Sequence, residues 1–253
     1  MIEVDHRDGV YRLTLNRPRA RNALNAAGMA GIVEALRQAE TAKDARVLVI
    51  QAAGESFSAG RDLKEAPTLP LATSLQQHDD WATVFQRLQR LSIPSVAVVN
   101  GFAVAGGFTL AMGCDFVLAS RGAKFGAMEM ANGFPAAVCT PLLAHLLGPR
   151  LGLELALFGE AVGAERLYEI GLINTLADDD AALPALAEDF VGRLLALNPS
   201  AVKQTKETFR AARSMPLDQA LTMGKHLNQL LDASGSFAAG SAEFVARTQG
   251  NRI

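Results

Sequence analysis

Two short apolar runs, Val47–Ala52 and Ser95–Val99, flank a stretch of helical periodicity near Ser74–Leu91, and this arrangement constrains the fold more than any other feature. Neither run alternates polar with apolar residues, so both read as strands buried on two faces, the condition of a parallel sheet covered by helices. Pro94 stands at the start of the second run, where a missing N–H is tolerated. Further strands are expected near Ile2–Val4, Val10–Leu15, Phe116–Ala119 and Lys124–Gly126. Asn25 is placed to cap a helix running to about Thr41, with Met29, Ile32, Val33 and Leu36 on one stripe. The alternation implies a layered α/β core. After about Leu142 the character changes. Leu151–Phe158, Ala164–Ile170, Ala182–Leu195, Ser200–Ala212, Leu217–Leu231 and Ser236–Ala246 carry helical periodicity, so the last third is expected to be helical. No fixed-period repeat is visible.

A chain of 253 residues, 49% of them hydrophobic, buries a substantial core. Its 24 Lys and Arg against 26 Asp and Glu leave a net charge of −2, which offers nothing to nucleic acid or to an anionic membrane surface. The N-terminus has no basic segment followed by an apolar one, and no run is long enough to span a bilayer, so a cytoplasmic protein without a membrane partner is expected. Cys114 and Cys139 are too few for a disulfide framework and lack metal-ligand companions, and read as reduced, buried thiols with no metal site. The four histidines have no carboxylate or serine companion at triad spacing.

Chemistry concentrates in three segments. Phe57-Ser-Ala-Gly-Arg-Asp-Leu63 and Gly101-Phe-Ala-Val-Ala-Gly-Gly-Phe-Thr-Leu-Ala-Met-Gly-Cys-Asp115 each put glycine where apolar sequence meets a helix start. A helix start has N–H groups without intrahelical partners, so two such sites can aim donors at one carbonyl oxygen. A Gly-Gly before a helix taken alone also fits plain packing against a strand. Thr109 lies three residues after Gly106 and shares its face of the helix, looking toward the same pocket. The third segment, Phe125-Gly-Ala-Met-Glu-Met-Ala-Asn-Gly-Phe-Pro135, gives Glu129 the apolar neighbours Met128, Met130 and Phe134. If these wall a pocket, desolvation disfavours the ionised carboxylate.

These segments resemble the crotonase superfamily of enoyl-CoA hydratases and isomerases, whose pattern reads approximately F-x-A-G-x-D-[IL], then G-x-A-x-G-G-G-x-x-L-x-x-x-C-D, then F-G-x-P-E-x-x-x-G-x-x-P. The resemblance runs from Arg21-Asn-Ala-Leu-Asn25 into the C-terminal helices. It implies a spiral of ββα units with a helical C-terminal region: a core over residues 1–195, and a trimerisation region over residues 196–253 in a homotrimer or homohexamer. It also implies that the N–H groups of Arg61 and Gly106 form an oxyanion hole and that Glu129 is the catalytic acid–base group. Asp62, Leu63, Lys64, Thr109 and Phe244 fall at positions that contact substrate in the family. Asp62 is expected to shape the acyl-CoA loop and Asp115 to hold loop or backbone groups. The Arg61 side chain reaches a CoA phosphate or stays solvated, and Lys64 either approaches the CoA nucleotide or is solvated.

The main departure is Thr109, where hydratases usually carry a glutamate. One carboxylate can move a proton between two carbons, so the resemblance favours an enoyl-CoA double-bond isomerase acting on an acyl-CoA thioester, with no cofactor beyond the CoA of the substrate. The alternatives are a 2-enoyl-CoA hydratase, in which Thr109 or water replaces the missing carboxylate, and a non-catalytic acyl-CoA-binding protein.

Overall fold

The computed structural model describes residues 1–65 and 68–235 together with positions 238, 241 and 245. Met1–Lys203 and Gln204–Ile253 form two compact units. In the first, β1 (Ile2–Arg7) and β2 (Val10–Leu15) make an antiparallel hairpin, and α1 (Ala26–Thr41) follows. Asn25 caps α1 as expected, its side-chain oxygen accepting the Gly28 N–H at 3.0 Å. Then come β3 (Val47–Ala52), α2 (Leu71–Arg90), β4 (Ser95–Val99), β5 (Phe102–Val104), α3 (Gly106–Met112), β6 (Phe116–Ser120) and β7 (Lys124–Gly126). The unit continues with α4 (Cys139–Leu146), α5 (Pro149–Phe158), β8 (Val162–Gly163), α6 (Ala164–Glu169), β9 (Thr175–Ala177) and α7 (Leu183–Leu195).

The strands divide between two sheets. The larger has the order β1-β2-β3-β4-β6-β9, parallel beyond the first hairpin, and the smaller has the order β5-β7-β8. From β4 to β7 the strands alternate between sheets: β4 lies in the large one and β5 in the small one before α3, then β6 and β7 repeat the step. This is the spiral of ββα units that the resemblance implies.

Strand pleating explains why the central runs are apolar throughout. Leu48 and Ile50 of β3, Ala97 and Val99 of β4, and Val117 and Ala119 of β6 face the main core with Met29, Ile32 and Leu36 of α1 and with Trp81, Val84, Phe85 and Leu88 of α2. Their alternates Val47, Val49, Val96, Val98 and Leu118 face Leu183, Ala187 and Val191 of α7 on the opposite side. Both faces are covered, so the middle of each strand is apolar on both sides.

Two expectations need amendment. The region after Leu142 is not free of strands, because Thr175–Ala177 adds a sixth strand to the large sheet by pairing with β6. Three residues are too few for a periodic signal. The helix expected over Ser236–Ala246 falls largely outside the described residues. The second unit takes in the end of α8 (Pro199–Ala212) and α9 (Leu217–Ala233), which starts after Pro216 and exposes Leu217, Leu221 and Leu230. Among the described residues no helix is long and apolar enough to cross a membrane.

Asp115 ties the edge of α3 to β4. Its carboxylate accepts both the N–H and the hydroxyl of the fully buried Ser95, at 2.7 and 2.8 Å, and its own N–H donates to the Ser95 hydroxyl oxygen. Asp115→Ala leaves a buried donor unsatisfied, which costs about 1–3 kcal/mol. Urea unfolding is expected to show that loss, with Asp115→Asn, which keeps an acceptor oxygen, losing less.

Candidate active site

Three site residues issue from one row of the small sheet. Ser58 pairs in parallel with Ala103, and Ala103 pairs in parallel with Phe125. All three are fully buried. Arg61 lies three residues beyond Ser58, Gly106 three beyond Ala103, and Glu129 four beyond Phe125. A shared register thus brings distant motifs to one end of the row.

The first loop is fastened from below. Asn22, almost fully buried and at φ 52°, donates to the carbonyls of Ala53 and Ser56 at 2.9 and 2.8 Å and accepts from the Arg17 N–H. Asparagine tolerates this left-handed conformation better than most residues. Leu24 then pairs in parallel with Arg61: its N–H donates to Gly60 O at 2.7 Å, and its carbonyl accepts from the Asp62 N–H at 2.9 Å. In such a pairing the flanking residues make the bonds, so the Arg61 N–H is directed away from Leu24.

Gly60 has φ +80°, and a Cβ there would stand 2.6 Å from the nitrogen of Gly106. A Cβ on Gly106 would meet the Trp81 ring at 2.5 Å. Glycine at both positions lets the loop and the start of α3 touch beneath α2. Between them Ala105 adopts φ 49° and ψ −126°, a conformation that costs alanine about 1–3 kcal/mol. Three hydrogen bonds hold it: its N–H donates to Gly126 O at 2.7 Å, and its carbonyl accepts from both the N–H and the hydroxyl of Thr109 at 3.0 and 3.1 Å. Gly106 is the first residue of α3, so its N–H has no intrahelical acceptor. The loop and the helix start therefore present two main-chain donors side by side.

Thr109 is 2% exposed, and its hydroxyl proton goes to the Ala105 carbonyl. It lies within hydrogen-bonding reach of Cys139, whose thiol burial pushes up to about 12, with Thr109 opposing and the nearby Glu129 charge adding to the rise. Thr109, Cys139 and Glu129 thus form one cluster. Glu129 is half-buried, and burial raises its carboxyl above the usual range against its own backbone hydrogen bond. Its Oε2 is buried with no hydrogen-bond partner among the described residues. Met130 and Phe134 are each 40% exposed. Met130 opens the turn Met130–Asn132, and Cys139 of α4 is a buried neighbour of the carboxylate.

Asp62 is engaged internally. Arg17 donates to it at 2.5 Å and the Lys64 N–H at 3.0 Å, and the arginine holds its carboxyl below the usual carboxylate range. It shapes the loop, while Leu63 and Lys64 are exposed. Arg61 turns its half-buried side chain to α2, donating to the Ser74 hydroxyl at 3.2 Å. Phe244 lies outside the described residues. Sequence reasoning missed Asn22, Ala105, Trp81 and Cys139. Asn22 and Ala105 sit inside motifs named above, but all four matter through tertiary contact or backbone strain that leaves no pattern.

A cleft of about 360 Å³ between the β1–β2 hairpin and α7 is lined by charges of both signs, including the paired Arg12 and Glu188, and holds none of these site residues. Neither cysteine forms a disulfide; Cys139 is buried as expected whereas Cys114 is only partly so, and no cluster of metal-ligating side chains exists among the described residues.

Fold and site together define an α/β spiral that presents two main-chain donors near a half-buried acid. The sequence model of the family described as enoyl-CoA hydratase/isomerase matches residues 5–251, and the chain belongs to that family. It is 33% identical to 2,3-dehydroadipyl-CoA hydratase of Escherichia coli K12, over 96% of this chain and 95% of that protein. It is 32% identical to 1,2-epoxyphenylacetyl-CoA isomerase of the same organism, over 94% and 93%. The crystal structure of an enoyl-CoA hydratase from Mycobacterium smegmatis superposes with a TM-score of 0.89 at 29% identity, covering 97% of this chain and 96% of that one.

Gly60→Ala is expected to lose about 1–3 kcal/mol from its left-handed φ alone, before the approach to Gly106 is counted. Gly122→Ala, where an added Cβ meets nothing within 4 Å, serves as the neutral control in the same unfolding measurement.

Proposed function

We propose that the protein isomerises the double bond of an enoyl-CoA thioester. The observation that carries this reading is the lone carboxylate of Glu129, whose raised proton affinity comes from burial, with no neighbouring charge contributing. The N–H groups of Arg61 and Gly106 bind the thioester oxygen and stabilise the enolate as Glu129 removes a proton from one carbon. The same carboxyl returns that proton to another carbon, so no second acid is required. Thr109 is unsuited to replace one, because its proton is committed to Ala105. Its part is to hold the turn that orients Gly106. In this reading Lys64, which is exposed on the loop, meets the CoA nucleotide. No cofactor beyond the CoA of the substrate is needed.

Water addition to a 2-enoyl-CoA is the second reading, favoured by the activity in the name of the 2,3-dehydroadipyl-CoA relative. Incubation with 3-enoyl- and 2-enoyl-CoA separates the two. Isomerisation leaves the mass unchanged and shifts the double bond, whereas a product heavier by one water establishes hydration.

Glu129→Gln is expected to keep acyl-CoA affinity and lose about 100- to 10,000-fold in turnover, the usual range for a general acid–base group. The base form of Glu129 starts the reaction, and its carboxyl is raised, so the acid limb of kcat/KM should lie above the ordinary glutamate value of about 4.3, with activity rising as pH increases through it. A limb at the ordinary value, or near-normal turnover in the variant, rejects Glu129 as the base.

We further propose a homotrimer or homohexamer. The support is apolar exposure on α5, where Leu153 and Leu157 share a face and Phe158 is 70% exposed. Sedimentation velocity at micromolar concentration should give a trimeric or hexameric mass, and a fully active monomer rules the assembly out.

A further inference from the structure

Arg61 has a main chain and a side chain with separate duties. Its guanidinium reaches away from the exposed Leu63 and Lys64 to the Ser74 hydroxyl on α2. No carboxylate lies within ion-pair distance of it among the described residues, and its Nε is buried without a hydrogen-bond partner. The other arginine bonded to this loop is neutralised: Arg17 by Asp62. A half-buried cation with an unused, buried donor is suited to receive an anion.

A second orphan lies on the same helix. Gln77 is 2% exposed, one turn beyond Ser74 and one turn before Trp81, and its Oε1 is buried without a partner. It is the sole polar residue among the buried positions of α2, the others being Trp81, Val84, Phe85 and Leu88. Trp81 packs on Gly106, so this face of α2 runs from the thioester position toward Ser74, about 10 Å along the axis at 1.5 Å per residue.

We propose that Arg61, Ser74 and Gln77 form an anion subsite that holds a carboxylate at the far end of the acyl chain, making dicarboxylic acyl-CoA thioesters the preferred substrate class. This rests on the reading of the pocket as an acyl-CoA site. Arg61 Nε–H and a guanidinium Nη–H donate to the carboxylate while Ser74 steadies the guanidinium. A half-turn of the Gln77 amide adds its N–H as a further donor. A CoA phosphate shares the anionic chemistry, but the nucleotide is strongly hydrated, and the enclosed Nε suits the end of a chain that has entered the protein.

Calorimetric titration of the full chain with adipyl-CoA and hexanoyl-CoA tests this without requiring turnover. The two acyl groups match in length and differ in the terminal carboxylate. Adipyl-CoA is expected to bind about tenfold or more tightly, the worth of one hydrogen bond to a charged group. Arg61→Ala and Gln77→Leu should each shrink that ratio, and Gln77→Glu should reverse it by placing a like charge at the subsite, with circular dichroism confirming each fold. The pantetheine thioesters of the same two acids lack the nucleotide phosphates, and the preference should persist with them. Equal binding of the two CoA thioesters by the wild-type protein overturns the proposal. So does an Arg61→Ala effect that is equal for both CoA thioesters and absent for the pantetheine thioesters, which assigns the cation to a CoA phosphate. A retained adipyl preference in a protein that shifts no double bond supports the subsite and rejects only the isomerase reading.

Discussion

The parallel row Ser58–Ala103–Phe125 is the constraint on which the rest of the site depends. Three turns of the spiral each contribute one short extended segment to it, and each segment leaves it within a few residues of a chemical group. Register in a sheet moves in whole residues, so the spacing between donors and acid is quantised by the ladder. The large sheet secures the row indirectly. Its strands are sealed between α1–α3 on one face and α7 on the other, which fixes where each following short segment begins.

Close approach is the second ingredient. Gly60 against Gly106, Gly107 against the Ser58 carbonyl, and Gly106 against Trp81 are contacts that a side chain on any of the three glycines would break. Ala105 is held in a costly conformation between them, and the bonds from Gly126 and Thr109 show how the surroundings sustain it. Threonine at position 109 therefore contributes to main-chain geometry, a role distinct from that of a second carboxylate.

Much of this was legible in the residues themselves. Val47–Ala52 and Ser95–Val99 announced a two-sided sheet because Val47–Ile50 and Val96–Val99 are apolar without alternation, and Asn25 announced the start of α1 because its side chain can do what the helix cannot do for itself. The glycine motifs located the touching loops. The two-residue strand β8 and the three-residue strands β5 and β9 were less visible, being too short for periodicity. The direction of the Arg61 side chain depends on Ser74, thirteen residues away, and the exposure of Met130 and Phe134 depends on a turn that their apolar character does not disclose. Ala105 is silent as sequence, since alanine advertises no left-handed conformation.

At Arg61 the donor belongs to the peptide, while the side chain leaves in another direction toward α2. Any residue except proline supplies the same N–H, so the side chain at position 61 can change without removing that main-chain donor. One residue thereby separates a main-chain group, which the fold fixes, from a side chain that substitution can change, so a single exchange at position 61 can alter what lies against α2 while leaving the loop backbone in place.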